Sequence, residues 1–97
     1  MDTLEKGFYY HYKHDPSKGI ADYAYEVLGV ALHTEEGTHT VIYRPLYQTD
    51  FLAGVDFCAR PLAMFMETIE KDGEIFPRFQ RIVDPELLEK LRVVKNT

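Results

Sequence analysis

Residues 23–47 read YAYEVLGVALHTEEGTHTVIYRPLY, two β-rich runs joined by Glu35-Glu36-Gly37, and the fold follows from how these runs pair. β-Branched and aromatic residues dominate both, which is the composition of strands. Strict alternation fails: Leu28, Val30 and Leu32 interleave with Val27, Gly29 and Ala31. Both faces are therefore largely apolar, as in a strand covered on both sides or curled within a small barrel. A three-residue loop with Gly37 in the left-handed region predicts a register pairing Thr34 with Thr38, His33 with His39, Ala31 with Val41, Gly29 with Tyr43 and Tyr25 with Tyr47. The Tyr43 ring would then lie over the bare glycine opposite it. This register gathers Tyr25, His33, Tyr43 and Tyr47 on one face, and assigns Leu28, Val30, Leu32, Ile42 and Leu46 to the core face. The Tyr/His face reads either as a second wall of the interior or as an aromatic-walled hollow for a ligand.

Upstream, residues 1–6 read as a loose, charged arm, and Phe8–Lys13 (FYYHYK) as a short strand with Phe8, Tyr10 and Tyr12 on one face and Tyr9, His11 and Lys13 on the other. Asp15, Pro16 and Gly19 break that strand. Downstream, Pro45 bends or ends its strand. Residues 48–56 form a loop whose Phe51-Leu52 tip is expected to tuck back, and Phe57–Ala59 a short strand. Pro61 suits the first position of a one-turn helix near 61–66, with Leu62, Phe65 and Met66 on one face. Asp72-Gly73 between two β-like runs, 67–70 and 74–81, signals a hairpin anchored by Ile69, Ile75, Phe76 and Phe79, with Pro77 marking an edge. Asp84 as N-cap, Pro85 behind it and late Lys90 and Arg92 predict a terminal helix near 85–92 that packs through Leu87, Leu88 and Leu91.

Five to six short strands, one helical turn and a terminal helix predict an all-β barrel or roll, since closure removes exposed edges. Ninety-seven residues fit a single domain over 1–97, with the barrel at 7–82 and the terminal helix at 84–93. A formal net charge of −5, with the basic residues scattered, argues against non-specific nucleic-acid binding. The single cysteine, Cys58, excludes an internal disulfide and reads as a small buried hydrophobe. No apolar run is long enough to span a membrane and the N-terminus is charged, so a cytoplasmic protein is expected.

The runs Tyr10-His11-Tyr12-Lys13, Tyr25–Ala31, His33-Thr34-Glu35, Val41–Arg44, Arg60–Phe65 and Pro77-Arg78-Phe79 occur here in the order they take in one small bacterial family. Over roughly Gly7–Ile82 the chain resembles that family, which is catalogued as a domain of unknown function, series number sixteen fifty-three. The resemblance implies an SH3-like β-barrel and no established reaction. Cys58-Ala59 stands where the family often has Trp-Val, Leu32 where Arg is common, and the connection 14–23 looks longer than usual.

Catalytic motifs are missing: no phosphate-cradling glycine loop and no nucleophile elbow occur. His33 with His39 and Glu35 would offer at most an incomplete metal site, so no metal or cofactor is expected. A His33 base with a Tyr43 acid is the enzyme alternative, and strand addition at an open edge is the adaptor alternative. The reading favoured here is a binding module for a small anion, peptide or protein partner. Lys13, Arg60 and Arg78 would take charge, while His11, Tyr12, His33 and Tyr43 would supply rings and hydrogen bonds.

Overall fold

Strand pairing begins at the hairpin and spreads from it in both directions. The structure is a computed structural model that describes residues 4–95. β1 (Gly7–His11), β2 (Ala24–His33), β3 (Thr38–Pro45), β4 (Cys58–Pro61) and β7 (Phe79–Arg81) form one curled sheet, in the order β4-β3-β2-β1-β7. A separate two-stranded sheet holds β5 (Thr68–Lys71) and β6 (Glu74–Pro77). One helical turn, α1 (Leu62–Phe65), follows β4, and α2 (Pro85–Lys95) closes the chain. The mostly-β expectation holds, in the form of a half-barrel carrying a small second sheet.

The hairpin register differs from the one expected. His33 pairs with Thr38, Leu32 with His39, and Gly29 with Ile42; beyond a bulge at Leu28, Val27 pairs with Tyr43 and Tyr25 with Pro45. Two local events cause this. The Gly37 N–H donates to the His33 carbonyl at 2.7 Å, with Gly37 at φ 70°, so Thr34 joins the turn instead of the strand. Leu28 is then an extra residue on β2, and such a bulge adds the curl that the sheet needs. His33 and His39 therefore do not face each other, and Tyr43 does not cover Gly29.

Of the two readings of the Tyr/His face, interior wall or ligand hollow, the interior wall is the one observed around Tyr25 and Tyr43. Tyr25, Val27, Val41 and Tyr43 are buried together with Tyr9, Phe65 and Phe79, so the Tyr face is the core. Leu32 and Val30, expected as core, are exposed. A two-residue change of register keeps side chains on their own face, so Tyr43 stays on the Tyr25 face and now lies directly opposite Val27. On the other side of the sheet, Phe8, Ala24, Ile82 and Leu91 form a second cluster, with Leu46, Leu87 and Leu88 packed against it. Thus β1 is covered on both faces: Tyr9 and His11 point to the aromatic core, Phe8 and Tyr10 to α2.

Several smaller expectations need correction. Pro61 ends β4 and precedes α1 instead of starting it, and Met66 is exposed. The run 74–81 divides at Arg78 into β6 and β7, because Pro77 cannot continue a ladder; Ile75 is left exposed. Asp72 and Gly73 at φ 53° and 79° make the tight turn expected between β5 and β6. Phe51 is 91% exposed and does not tuck back as expected, whereas Leu52 beside it is half-buried. Of the arm at 1–6, residues 1–3 lie outside the described residues. Leu4 packs on the aromatic core, and the Glu5 carbonyl accepts from the Tyr9 hydroxyl at 2.7 Å.

α2 is capped by Asp84, whose Oδ1 accepts from the Glu86 N–H at 3.0 Å. Its far end is clamped by Glu26, which accepts from Arg44 Nη2 at 2.8 Å and from Lys95 Nζ at 2.7 Å, with the Glu26 side chain 13% exposed. Arg44 lies directly opposite Glu26 on the neighbouring strand. Both cations keep some contact with water, so solvent screens the pairs. Glu26→Gln should cost about 1–2 kcal/mol in urea unfolding and speed amide exchange in the last turn of α2. A cost below a few tenths would mean that the clamp contributes nothing.

Candidate functional site

At the open end of the aromatic core, three cations surround one buried histidine. His11 ends β1 opposite Phe79 of β7 and is 9% exposed. Its ring lies edge-on to Phe79 at 5.0 Å and beside Tyr12 at 4.5 Å and Tyr23 at 5.4 Å. Nδ1 accepts from the Lys13 N–H at 3.2 Å, so in the neutral ring the proton sits on Nε2. Burial is the main reason that the His11 pKa falls to about 4, and the positive charges of Arg60, Arg78 and Lys13 push it the same way. At neutral pH His11 is an uncharged hydrogen-bond donor among cations.

Arg60 is placed by β4, whose pairing with β3 sets it opposite Val41. Its guanidinium lies over the Phe79 ring at 5.2 Å from the centroid, a cation–π geometry. Among the described residues Arg60 has no carboxylate partner. Its charge acts on His11, Tyr25 and Cys58, which places it centrally in the cluster. Arg78 occupies the break between β6 and β7 and gives one nitrogen, Nη2, to Glu67 at 2.6 Å. Its Nε is buried with no hydrogen-bond partner. Lys13 Nζ stands 5.9 Å from the centre of the Tyr12 ring.

The tyrosines behind this cluster are held tightly. The Tyr25 and Tyr47 hydroxyls share a hydrogen bond at 2.6 Å. Burial first, then that bond, raises the Tyr25 pKa far above its ordinary value. Tyr23 takes a left-handed backbone, φ 50°, which costs a non-glycine residue roughly 1 kcal/mol or more. That conformation brings its ring over His11 and within 5.6 Å of Tyr47. Burial raises the Cys58 thiol pKa, leaving it protonated and packed against the core.

Of the residues singled out in the sequence, His11, Tyr12, Lys13, Arg60 and Arg78 come together at this corner. Tyr43 lies behind them in the core. His33 does not join them: it is exposed at the β2–β3 turn, where its Nδ1 accepts from the Glu36 N–H at 3.2 Å. No group of three or more His, Cys, Asp or Glu side chains that could hold a metal occurs among the described residues. Tyr23 and Phe79 belong to the site without having been picked from the sequence as site residues, and Tyr47, expected on the Tyr/His face, touches it through Tyr23. Tyr23 does open the quoted hairpin stretch, but no local signal aims its ring at His11.

A family model described as "Protein of unknown function (DUF1653)" matches residues 7–81. Among solved structures, the crystal structure of a DUF1653 protein from Bordetella bronchiseptica is similar to this chain. It aligns with a TM-score of 0.65 at 31% identity, covering 84% of this chain and 94% of that one. No curated protein matches.

Proposed function

The chain belongs to the DUF1653 family, described only as of unknown function, and on that premise we propose that it is a binding module for a small anion or an anionic group on a partner. The observation that carries this reading is Arg60: a partly buried guanidinium, oriented by Phe79, with no carboxylate partner among the described residues. Charged groups withdrawn from water need a counter-charge, and the chain as a whole, at −5, does not lack carboxylates. Arg78 and Lys13 add positive charge near His11. A flat guanidinium fork suits carboxylate or phosphate oxygens. The lone thiol and the absence of a long apolar helix among the described residues fit a cytoplasmic setting for this role.

The test is a titration of the full chain with sulfate and with inorganic phosphate, read by thermal shift and by amide chemical shifts. Ligand that binds only the folded form raises the midpoint. Arg60→Gln is expected to abolish the response while leaving the anion-free midpoint unchanged or slightly higher, because it relieves repulsion within the cation cluster. If neither anion perturbs His11, Tyr12 or Phe79 resonances, the reading fails. The adaptor reading gains from the ends of the five-strand sheet, where β4 and β7 each have one unpaired side. It expects anions to be silent and a partner strand to protect β4 or β7 amides.

A further inference from the structure

Next to the cation cluster lies a groove of about 290 Å³ between the end of β1 and the β5–β6 hairpin. Its walls include His11, Tyr12, His14, Phe76, Pro77 and Gln80. The Tyr12 and Phe76 rings stand 6.0 Å apart at 47°, an open wedge rather than a closed stack. His14 backs the groove with a fixed orientation, stacked on Tyr10 at 3.6 Å and bonded through Nδ1 to the Asp22 carbonyl at 2.5 Å. That bond makes Nδ1 the donor, so in the neutral ring Nε2 remains an acceptor. Gln80 adds an amide able both to donate and to accept, and His11 a further donor through Nε2. Ring faces together with edge groups of both polarities suit a planar heterocycle, whose own edge carries donors and acceptors.

The groove adjoins the cations through shared and neighbouring residues. Pro77 lines the groove and Arg78 is the next residue; the Tyr12 N–H donates to the Arg78 carbonyl at 2.8 Å. The Tyr12 ring contacts Phe76 on the groove side, and Lys13 Nζ sits above it. His11 is a wall of the groove and also the residue on which Arg60, Arg78 and Lys13 act. Building on the anion reading above, we propose that the bound anion carries a planar heterocycle, as a nucleoside monophosphate does, with the ring lodged against Tyr12 and Phe76 and the phosphate toward Arg60 and Arg78. Glu67 now holds Arg78 Nη2, and the phosphate would share or displace it.

The experiment is calorimetric titration of the full chain with adenosine 5′-monophosphate, inorganic phosphate and adenosine, repeated on Phe76→Ala and Arg60→Gln. Phe76 belongs to the small β5–β6 sheet and to neither buried cluster, so its removal is expected to leave the fold intact, as a thermal melt would confirm. Stacking of a base on aromatic rings should make the nucleotide bind about tenfold tighter than phosphate, or more. Phe76→Ala should erase that advantage while leaving phosphate affinity unchanged, and Arg60→Gln should weaken both ligands. Phosphate binding with no gain for the nucleotide would overturn the heterocycle proposal and leave the anion reading standing. Silence from all three ligands would remove both. Adenosine binding as tightly as its monophosphate would overturn the placement of the phosphate at the arginines.

Discussion

Phe65→Ala is expected to destabilise the protein by about 3–5 kcal/mol, the usual cost of emptying a large aromatic site in a core. Phe65 is 1% exposed and lies parallel to Phe79, with centroids 4.1 Å apart and planes at 1°. It also meets Tyr9 edge-on at 5.6 Å and Tyr43 at 5.9 Å. The helical turn that carries it has four residues, Leu62–Phe65. So short a helix has no stability of its own and forms because its side chain is buried. For a domain whose total stability is about 5–15 kcal/mol, such a loss would lower the melting point by more than about 10 °C. Met64→Ala, on the exposed side of the same turn, should cost less than about 0.5 kcal/mol. Urea unfolding of the two variants decides the matter: a Phe65→Ala cost under 1 kcal/mol would mean that α1 is not docked on the core. Phe79 supports both Phe65 and the Arg60 guanidinium, so Phe65→Ala should also loosen the anion site.

His11 should make the protein lose stability as the pH falls below neutrality. The ordinary imidazole pKa of 6.5 describes the unfolded chain, whereas the folded value is about 4, lowered by burial first and by Arg60, Arg78 and Lys13 after it. The folded state therefore binds fewer protons than the unfolded state between these two values. Stability is fully present above pH 6.5, declines as the pH drops toward 4, and levels off below that. The gap corresponds to at most about 3 kcal/mol, and screening at the open end of the site brings the expectation to about 2 kcal/mol. Carboxylates also titrate toward the acid end of this window, so the informative quantity is the difference from His11→Asn. Urea unfolding at pH 7 and pH 4.5 should show the wild type losing about 2 kcal/mol more than the variant. Equal losses would mean that His11 titrates normally and is not enclosed by the cations. An anion bound at Arg60 and Arg78 would oppose their effect and raise the His11 pKa, so sulfate should shrink the difference.

Much of the chain can be placed from local chemistry alone. The turns at Gly37 and Asp72-Gly73 follow from the need for positive φ, and the alternation in Phe8–His11 correctly separates Phe8 and Tyr10 from Tyr9 and His11. Asp84-Pro85 starts α2 as a cap and a fixed φ require, although the helix runs on to Lys95. Register was not legible in the same way. It depended on whether Thr34 lay in the strand or in the turn, and on an extra residue at Leu28, and neither event carries a distinctive residue type. A bulge answers to the curvature of the whole sheet, which no window of sequence contains.

The same division holds for the site. Arg60 and Arg78, each beside a proline, and the Tyr10–Lys13 run could be picked out as carriers of charge and rings. That they converge around His11 was decided by strand order: β7 returns to pair with β1 and brings Phe79 opposite His11, while β4 reaches across to set Arg60 over Phe79. His33 has the same side chain as His11 and was singled out with it, yet the turn leaves it in water. By itself the sequence determined the inventory: a β-rich acidic domain, its turns, its terminal helix and the residue types able to meet an anion. Only the tertiary structure decided which tyrosines became core and which cations were left without a partner. Burial and pairing depend on contacts between strands far apart in the chain, and a side chain's neighbours along the sequence do not specify them.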